Sequence, residues 1–296
     1  MALHREREPR PASFWLLAIF FGLFLVFLYG PTLTIFVLSF QGPQGGLTFP
    51  MRGWSLHWFA RLAEGLGVID VWAALRRSLK LGLAVMGLTI LVSVLAGLAF
   101  RKKLRGGDAL FYLTIASLIM PSIIVSLGIG LQFRLIDTGV QRLLEALEWE
   151  WALEHFTTTM GLGTSALGAH LTWTLPFGLL IMFAVFNRFT PAYEEAARDL
   201  GATPWQAFRH VVLPLIGPSV VGVGLFGFTL SWDEIARSSQ AIGDLNTLPL
   251  ELQGLTTTVT TPAIYALGTL TTVVSLLAIG LTLLALAWLR RSRRLP

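Results

Sequence analysis

Two groups of residues in this chain could do chemistry, and neither is a catalytic set. The first is Trp232-Asp233-Glu234, two adjacent carboxylates beside an indole at the end of an apolar run. Paired carboxylates attract an ammonium group by charge, and an aromatic face adds cation–π attraction. The same residues also suit a plain helix end whose acids face water, and the sequence leaves both readings open. The second group is Glu195-Ala196-Ala197-Arg198-Asp199-Leu200-Gly201, followed by Val211-Val212-Leu213-Pro214. It is a charged island between apolar runs, better suited to holding another protein than to transforming a small molecule. His170 and Trp173, inside an apolar run, and Ser122, after Met120-Pro121, are further candidates for a solute path. A lone histidine in such a run serves equally as an internally hydrogen-bonded structural residue. The chain has no cysteine, which removes disulfides, thiolate metal sites and a cysteine nucleophile. It also lacks G-x-S-x-G, H-E-x-x-H and the phosphate-cradling G-x-x-x-x-G-K-[ST]. It reads as a non-enzyme with no cofactor or metal of its own.

The elements that must position these groups are membrane helices. Of 296 residues, 54% are hydrophobic and 13% charged, about half the charge of an ordinary soluble domain, and mean hydropathy is +0.68. Six runs reach the roughly 20 apolar residues that a bilayer demands: 14–38, 81–100, 109–133, 165–186, 215–231 and 265–289. The expected fold is an all-α membrane protein of six transmembrane helices, one domain over residues 1–296. Pro121 and Pro176 should bend their helices, and the fifth span extends back towards Val211. With the N-terminus placed in the cytoplasm, 14 of the 22 Lys and Arg residues fall in cytoplasmic pieces totalling about 50 residues. Both termini are therefore expected inside. The basic balance belongs to topology rather than to nucleic acid, because no free-standing basic module exists.

Segment 187–214 carries mutually consistent local signals. Thr190 suits an N-cap, Pro191 a first helical position, and Glu194 and Glu195 the positive end of the helix dipole. Gly201 then stops the helix, and Thr203-Pro204 with Gln206 starts another as a capping box. The expected product is helix, glycine turn, helix: a stiff knuckle. Of the opposite loops, one places Trp58, Phe59, Leu62 and Val68 at helical spacing for an interfacial helix. The other holds a short acidic helix around residues 143–156.

EAA, three residues, Gly, nine residues, an aliphatic residue, one more, then Leu-Pro resembles the signature loop of permease subunits of binding-protein-dependent ABC importers. Three further stretches, at Ala73–Ala84, His170–Phe177 and Ser231–Leu250, are similar to the spermidine/putrescine branch. The resemblance covers nearly the whole chain, with an apparent insertion at 143–156. It implies the type I importer permease fold in a bacterial inner membrane. It also implies a second homologous permease subunit, two cytoplasmic ATPase subunits that hold ATP and magnesium, and a periplasmic solute-binding protein. Glu195, Ala196, Ala197 and Gly201 would form the ATPase-coupling element, Glu195 orienting it or pairing with a basic group of the ATPase. Leu200, Trp205, Leu213 and Pro214 would complete that element. The implied solute is a polyamine or another small organic cation. Two departures from the branch, neutral Ser122 and the threonine-rich 256–261, leave ferric iron, sulfate or an amino-acid derivative as alternatives. A secondary transporter is a more distant one, since the nearly charge-free spans show no ion ligands or inverted repeats.

Overall fold

A computed structural model describes residues 11–65, 70–101, 105–258 and 261–292 of the chain. Among the described residues twelve helices follow in order: α1 (Ala12–Leu38), α2 (His57–Glu64), α3 (Val71–Phe100), α4 (Gly107–Ala116), α5 (Ser122–Ala146), α6 (Glu150–His155), α7 (Leu167–Asn187), α8 (Ala192–Asp199), α9 (Pro204–Ala207), α10 (Leu213–Trp232), α11 (Leu248–Thr258) and α12 (Ala263–Ser292). Single π turns at Leu162–Ala166 and Phe208–Val212 lead directly into α7 and α10. Among the described residues there is no strand, only an isolated bridge between Gln41 and Trp54. Six helical stretches are long and apolar enough to cross a membrane: 12–38, 71–100, 122–146, 162–187, 204–232 and 263–284. The all-α, six-span expectation is borne out.

The chain divides into two compact units. The first contains residues 1–64 and 258–271, and the second contains 65–257 and 272–296, so α12 belongs to both. In the first, buried Gln41 organises the loop after α1: its amide donates to the Gly46 carbonyl at 3.2 Å and its Oε1 accepts from Arg52 N–H at 2.8 Å. Tyr265 at the start of α12 donates to the Leu47 carbonyl. Helix α2 forms most of the expected interfacial helix; Val68 lies outside the described residues.

The second unit is built on α3, α7 and α10, which pack against one another. One end of this trio is apolar: Val94, Met182, Phe186, Val212, Ile216 and Val223 form a closed cluster. Further along, α3 and α7 come so close that a Cβ on Gly178 would lie 2.2 Å from Ser93 Oγ. The buried hydroxyls of Thr89 and Thr174 meet there at 2.8 Å.

Three boundaries differ from the hydropathy reading. Helix α3 begins ten residues before its apolar run, because Asp70 caps it by accepting from Ala73 N–H at 2.9 Å. The third span is two helices rather than one bent helix. Helix α4 ends at Ala116 and α5 starts afresh after Pro121, whose missing N–H and ring oppose continuation. Helix α5 then runs on to Ala146, and the 143–156 region turns at Glu148 (φ 48°) into α6. Asp137 closes the base of this excursion, accepting from Thr158 Oγ1 and Thr159 N–H, each at 2.6 Å.

Candidate functional site

The 188–212 segment folds as its caps dictate, with one exception. Thr203 and Gln206 form the reciprocal capping box, side chain to backbone in both directions, at 3.3 and 2.8 Å. Gly201 adopts φ +86°, a conformation that costs other residues energy, and ends α8. Thr190 does not cap α8 with its side chain. Pro191 occupies the cap position, and Thr190 instead accepts from Tyr193 N–H through its carbonyl.

Glu194 anchors the segment to α3. Its carboxylate accepts from Arg101 at 3.0 Å and from Arg198 at 2.9 Å. Arg101, the residue that closes α3, also lies over the Phe189 ring, 4.9 Å from its centroid. Neighbouring Glu195 is exposed, as is Ala196, while Ala197 is half-buried. Leu200 is 89% exposed and Trp205 64% exposed, and the latter stacks on Phe208 at 5.6 Å. Two large apolar side chains held out on a rigid polar turn make a surface suited to another protein. Leu213 and Pro214 open α10, and both are exposed.

At the other end of α10, residues 233–247 form a loop stitched to four elements by polar side chains. Ser126 of α5 donates to the Arg237 carbonyl at 2.8 Å and accepts from Gln240 N–H at 3.1 Å. Gly130, one turn further, passes the loop so closely that a Cβ would lie 2.5 Å from the Gln240 carbonyl. Ser165 donates to the Ala241 carbonyl. From α3, Arg77 donates to the Asn246 carbonyl at 2.7 Å, and Ser78 accepts from Leu248 N–H at 2.8 Å.

His170 is only 1% exposed, with both ring nitrogens engaged: Nδ1 with Ser231 Oγ and Nε2 with Ser238 Oγ, each at 2.8 Å. It joins α7 to both ends of the turn that holds the acids. Trp232 is also buried, stacked on Phe228 at 5.7 Å, and so turned into the helix packing. Asp233 is exposed, while Glu234 is half-buried and caps the turn by accepting from Arg237 N–H at 2.9 Å. The protein that covers part of Asp233 raises its carboxyl above the ordinary aspartate value. Ser122 lies half-buried one turn before Ser126, on the α5 face that meets the loop.

The residue that sequence reasoning missed is Arg237. Its side chain is 0% exposed, and its Cζ sits 5.1 Å from the centroid of the half-buried Trp173 ring. Nη1 donates to Thr172 Oγ1, whereas Nε and Nη2 have no hydrogen-bond partner among the described residues. Burial pulls its guanidinium below the ordinary arginine pKa, and the Glu234 charge opposes that shift. The available signal was Arg237 itself, the one Lys or Arg between residues 232 and 264.

A charge-poor six-span helical chain, with a braced polar knuckle at one end of α10 and a polar loop at the other, defines a membrane transport subunit. Residues 71–294 match the family model for the inner membrane component of binding-protein-dependent transport systems, and the chain belongs to that family. It is 28% identical over 273 residues to the spermidine/putrescine transport system permease protein PotC of Haemophilus influenzae, covering 92% of this chain and 96% of that one. It is 27% identical over 247 residues to the putrescine transport system permease protein PotI of Escherichia coli K12, covering 82% and 81%. Among solved structures, the fold is similar to a MetNI methionine ABC transporter chain (TM-score 0.53, 18% identity, covering 79% of this chain and 99% of that one). It is also similar to a chain of a bacterial alginate ABC transporter (TM-score 0.58, 16% identity, covering 95% of each). The chain is thus a multi-pass inner-membrane permease of a binding-protein-dependent ABC importer, of the polyamine branch.

Proposed function

We propose that this chain forms half of the solute path of an ATP-driven importer and is moved through its 188–212 segment by a separate ATPase subunit. A second permease subunit supplies the other half, two ATPase subunits hold ATP and magnesium, and a periplasmic binding protein delivers the solute. Both termini face the cytoplasm, following the Lys and Arg distribution. The observation that carries this reading is one continuous helical rod, residues 204–232, roughly 40 Å long at 1.5 Å per residue. The exposed knuckle with Glu195, Leu200, Gly201 and Trp205 sits at its start, and the loop with Asp233 and Glu234 follows its end. A rigid rod between a docking face and a polar loop converts a push at one into movement at the other.

The solute is a polyamine or another small organic compound that carries an ammonium group. The adjacent carboxylates supply the charge for an ammonium group, and the PotC and PotI relatives support that assignment. Replacing both acids, Asp233→Asn with Glu234→Gln, should lower uptake of a cationic solute at least ~10-fold while the complex still assembles and hydrolyses ATP. Undiminished uptake would return the two acids to the role of a solvated helix end.

A further inference from the structure

Arg237 occupies a position that a path for cations alone does not explain. A guanidinium four residues from the proposed ammonium site repels every solute that the acids attract. A buried charge is ordinarily paired, yet among the described residues Arg237 has no carboxylate within ion-pair distance. Its two unpartnered donors are also a particular pair. Nε–H and Nη2–H lie along one edge of the planar group, and that edge matches the two oxygens of a carboxylate in a bidentate bond. The remaining nitrogen, Nη1, is held by Thr172, which fixes the plane. Ser126 holds the Arg237 carbonyl and Glu234 its N–H, so the backbone beneath the side chain is fixed as well. The fork is preorganised and empty of partners.

We infer that Arg237 binds a carboxylate of the transported solute, so that the solute carries both an ammonium and a carboxylate group. Asp233 and Glu234 take the first and Arg237 the second. The inference rests on the reading of residues 233–247 as part of the path. A phosphate or sulfate fits less well, because greater negative charge would meet the acids next door. The half-buried Trp173 ring lies over the guanidinium; Arg237 is 0% exposed, so this packing must open for a carboxylate to reach the fork. In exchange for that cation–π contact the solute offers a charge-assisted bidentate bond, the stronger of the two.

The test uses the assembled importer with its binding protein in proteoliposomes. An equimolar mixture of α,ω-diamines, ω-amino acids and α-amino acids is supplied, and import is read by mass spectrometry. Wild type should import amino acids. Arg237→Met should lower that import ~10-fold or more, while diamine import holds or rises because a like charge has left the path. Arg237→Lys, which keeps the charge without the fork, should fall between them. Thermal unfolding of the complex supplies a second readout: an unpaired buried cation replaced by an apolar side chain of similar length should raise the midpoint. Import confined to diamines, import of neither class, amino-acid import that survives Arg237→Met, or a lowered midpoint each overturns the inference. Asp233→Asn with Glu234→Gln, run in parallel, separates the two levels. If that pair of changes alters nothing, the path reading itself fails; if it abolishes import while Arg237→Met does not reduce amino-acid import, only the carboxylate assignment fails.

Discussion

Glu194→Gln tests whether the 188–212 segment moves as a rigid body with α3. Glu194 bridges Arg101 at 3.0 Å and Arg198 at 2.9 Å. The Arg101 and Glu194 side chains are each about one-fifth exposed, so their bond is sheltered, and Arg101 is further held over Phe189. A hydrogen bond to a charged group in such a setting contributes about 1.5–3 kcal/mol. The Arg198 pair, i to i+4 on the exposed face of α8, adds about 0.3–0.5 kcal/mol. Glutamine preserves the shape and one neutral acceptor, so the net loss should be about 1–2 kcal/mol, a roughly 5- to 30-fold shift from the docked towards the undocked knuckle. That is too little to unfold a packed helical trio and enough to loosen a lever. In proteoliposomes the assembled importer should keep hydrolysing ATP while ATP consumed per solute imported rises several-fold. The exchange of Arg101→Glu with Glu194→Arg should recover most of the coupling, less a few tenths of a kcal/mol for the new repulsion from Arg198. Wild-type stoichiometry in Glu194→Gln would refute the reasoning. So would two impaired single variants whose exchange recovers nothing.

A Cβ at Gly201 would meet no neighbouring atom within 4 Å, so the main cost of Gly201→Val is the left-handed backbone, about 1–2 kcal/mol. Membrane insertion should persist while ATPase binding weakens and import falls; normal import measured alongside co-purification of the ATPase would remove Gly201 from the coupling element. His170→Ala strands the hydroxyl of Ser231 in a buried setting, at about 1–3 kcal/mol, and leaves Ser238 with only its bond to the Glu234 carbonyl. The thermal midpoint of the complex should drop and import should decline, because both ring nitrogens tie α7 to the loop; an unchanged midpoint would argue against the structural tie.

The spans and the knuckle were legible in the sequence because each depends on neighbours in the chain. Apolar run length reports the spans, and Thr203, Pro204, Gln206 and Gly201 act within three or four positions of one another. Hydropathy misjudged boundaries wherever a helix outlasts its apolar run, as at Asp70, whose cap starts α3 ahead of Arg76, Arg77 and Lys80. At Thr190 two signals competed, and the fixed φ of Pro191 placed the proline at the cap. Glu195 stood out by motif, whereas Glu194 makes the bonds, a choice decided by where Arg101 arrives from α3. Arg237 was illegible because what makes it unusual lies far along the chain. Thr172 is 65 residues away and Ser126 is 111. By composition alone it is one basic residue in a loop.

The two ends of the α3–α7–α10 trio are held by different forces, and this bears on how a push could travel. Near the knuckle the packing is apolar, through Val94, Met182, Phe186, Val212 and Ile216. Such contacts are dense but non-directional and admit small sliding. Towards the loop the bonds are directional: Thr89 to Thr174, His170 to Ser231 and Ser238, Ser126 to Arg237 and Gln240. If the ATPase displaces the knuckle, residues 233–247 must either break these bonds or carry α7 and α5 with them. Carrying them is cheaper, because several buried hydroxyls would otherwise lose their partners together. Helix α5 is joined to α4 only through residues 117–121, where the helix is interrupted at Pro121, while Ser117 donates to the Thr172 carbonyl at 2.8 Å and so ties the end of α4 to α7. The break that hydropathy reads as a mere bend is therefore the natural hinge for α5, because past the single-turn bonds of Ser117, Leu118 and Ile119 the proline interrupts the backbone ladder.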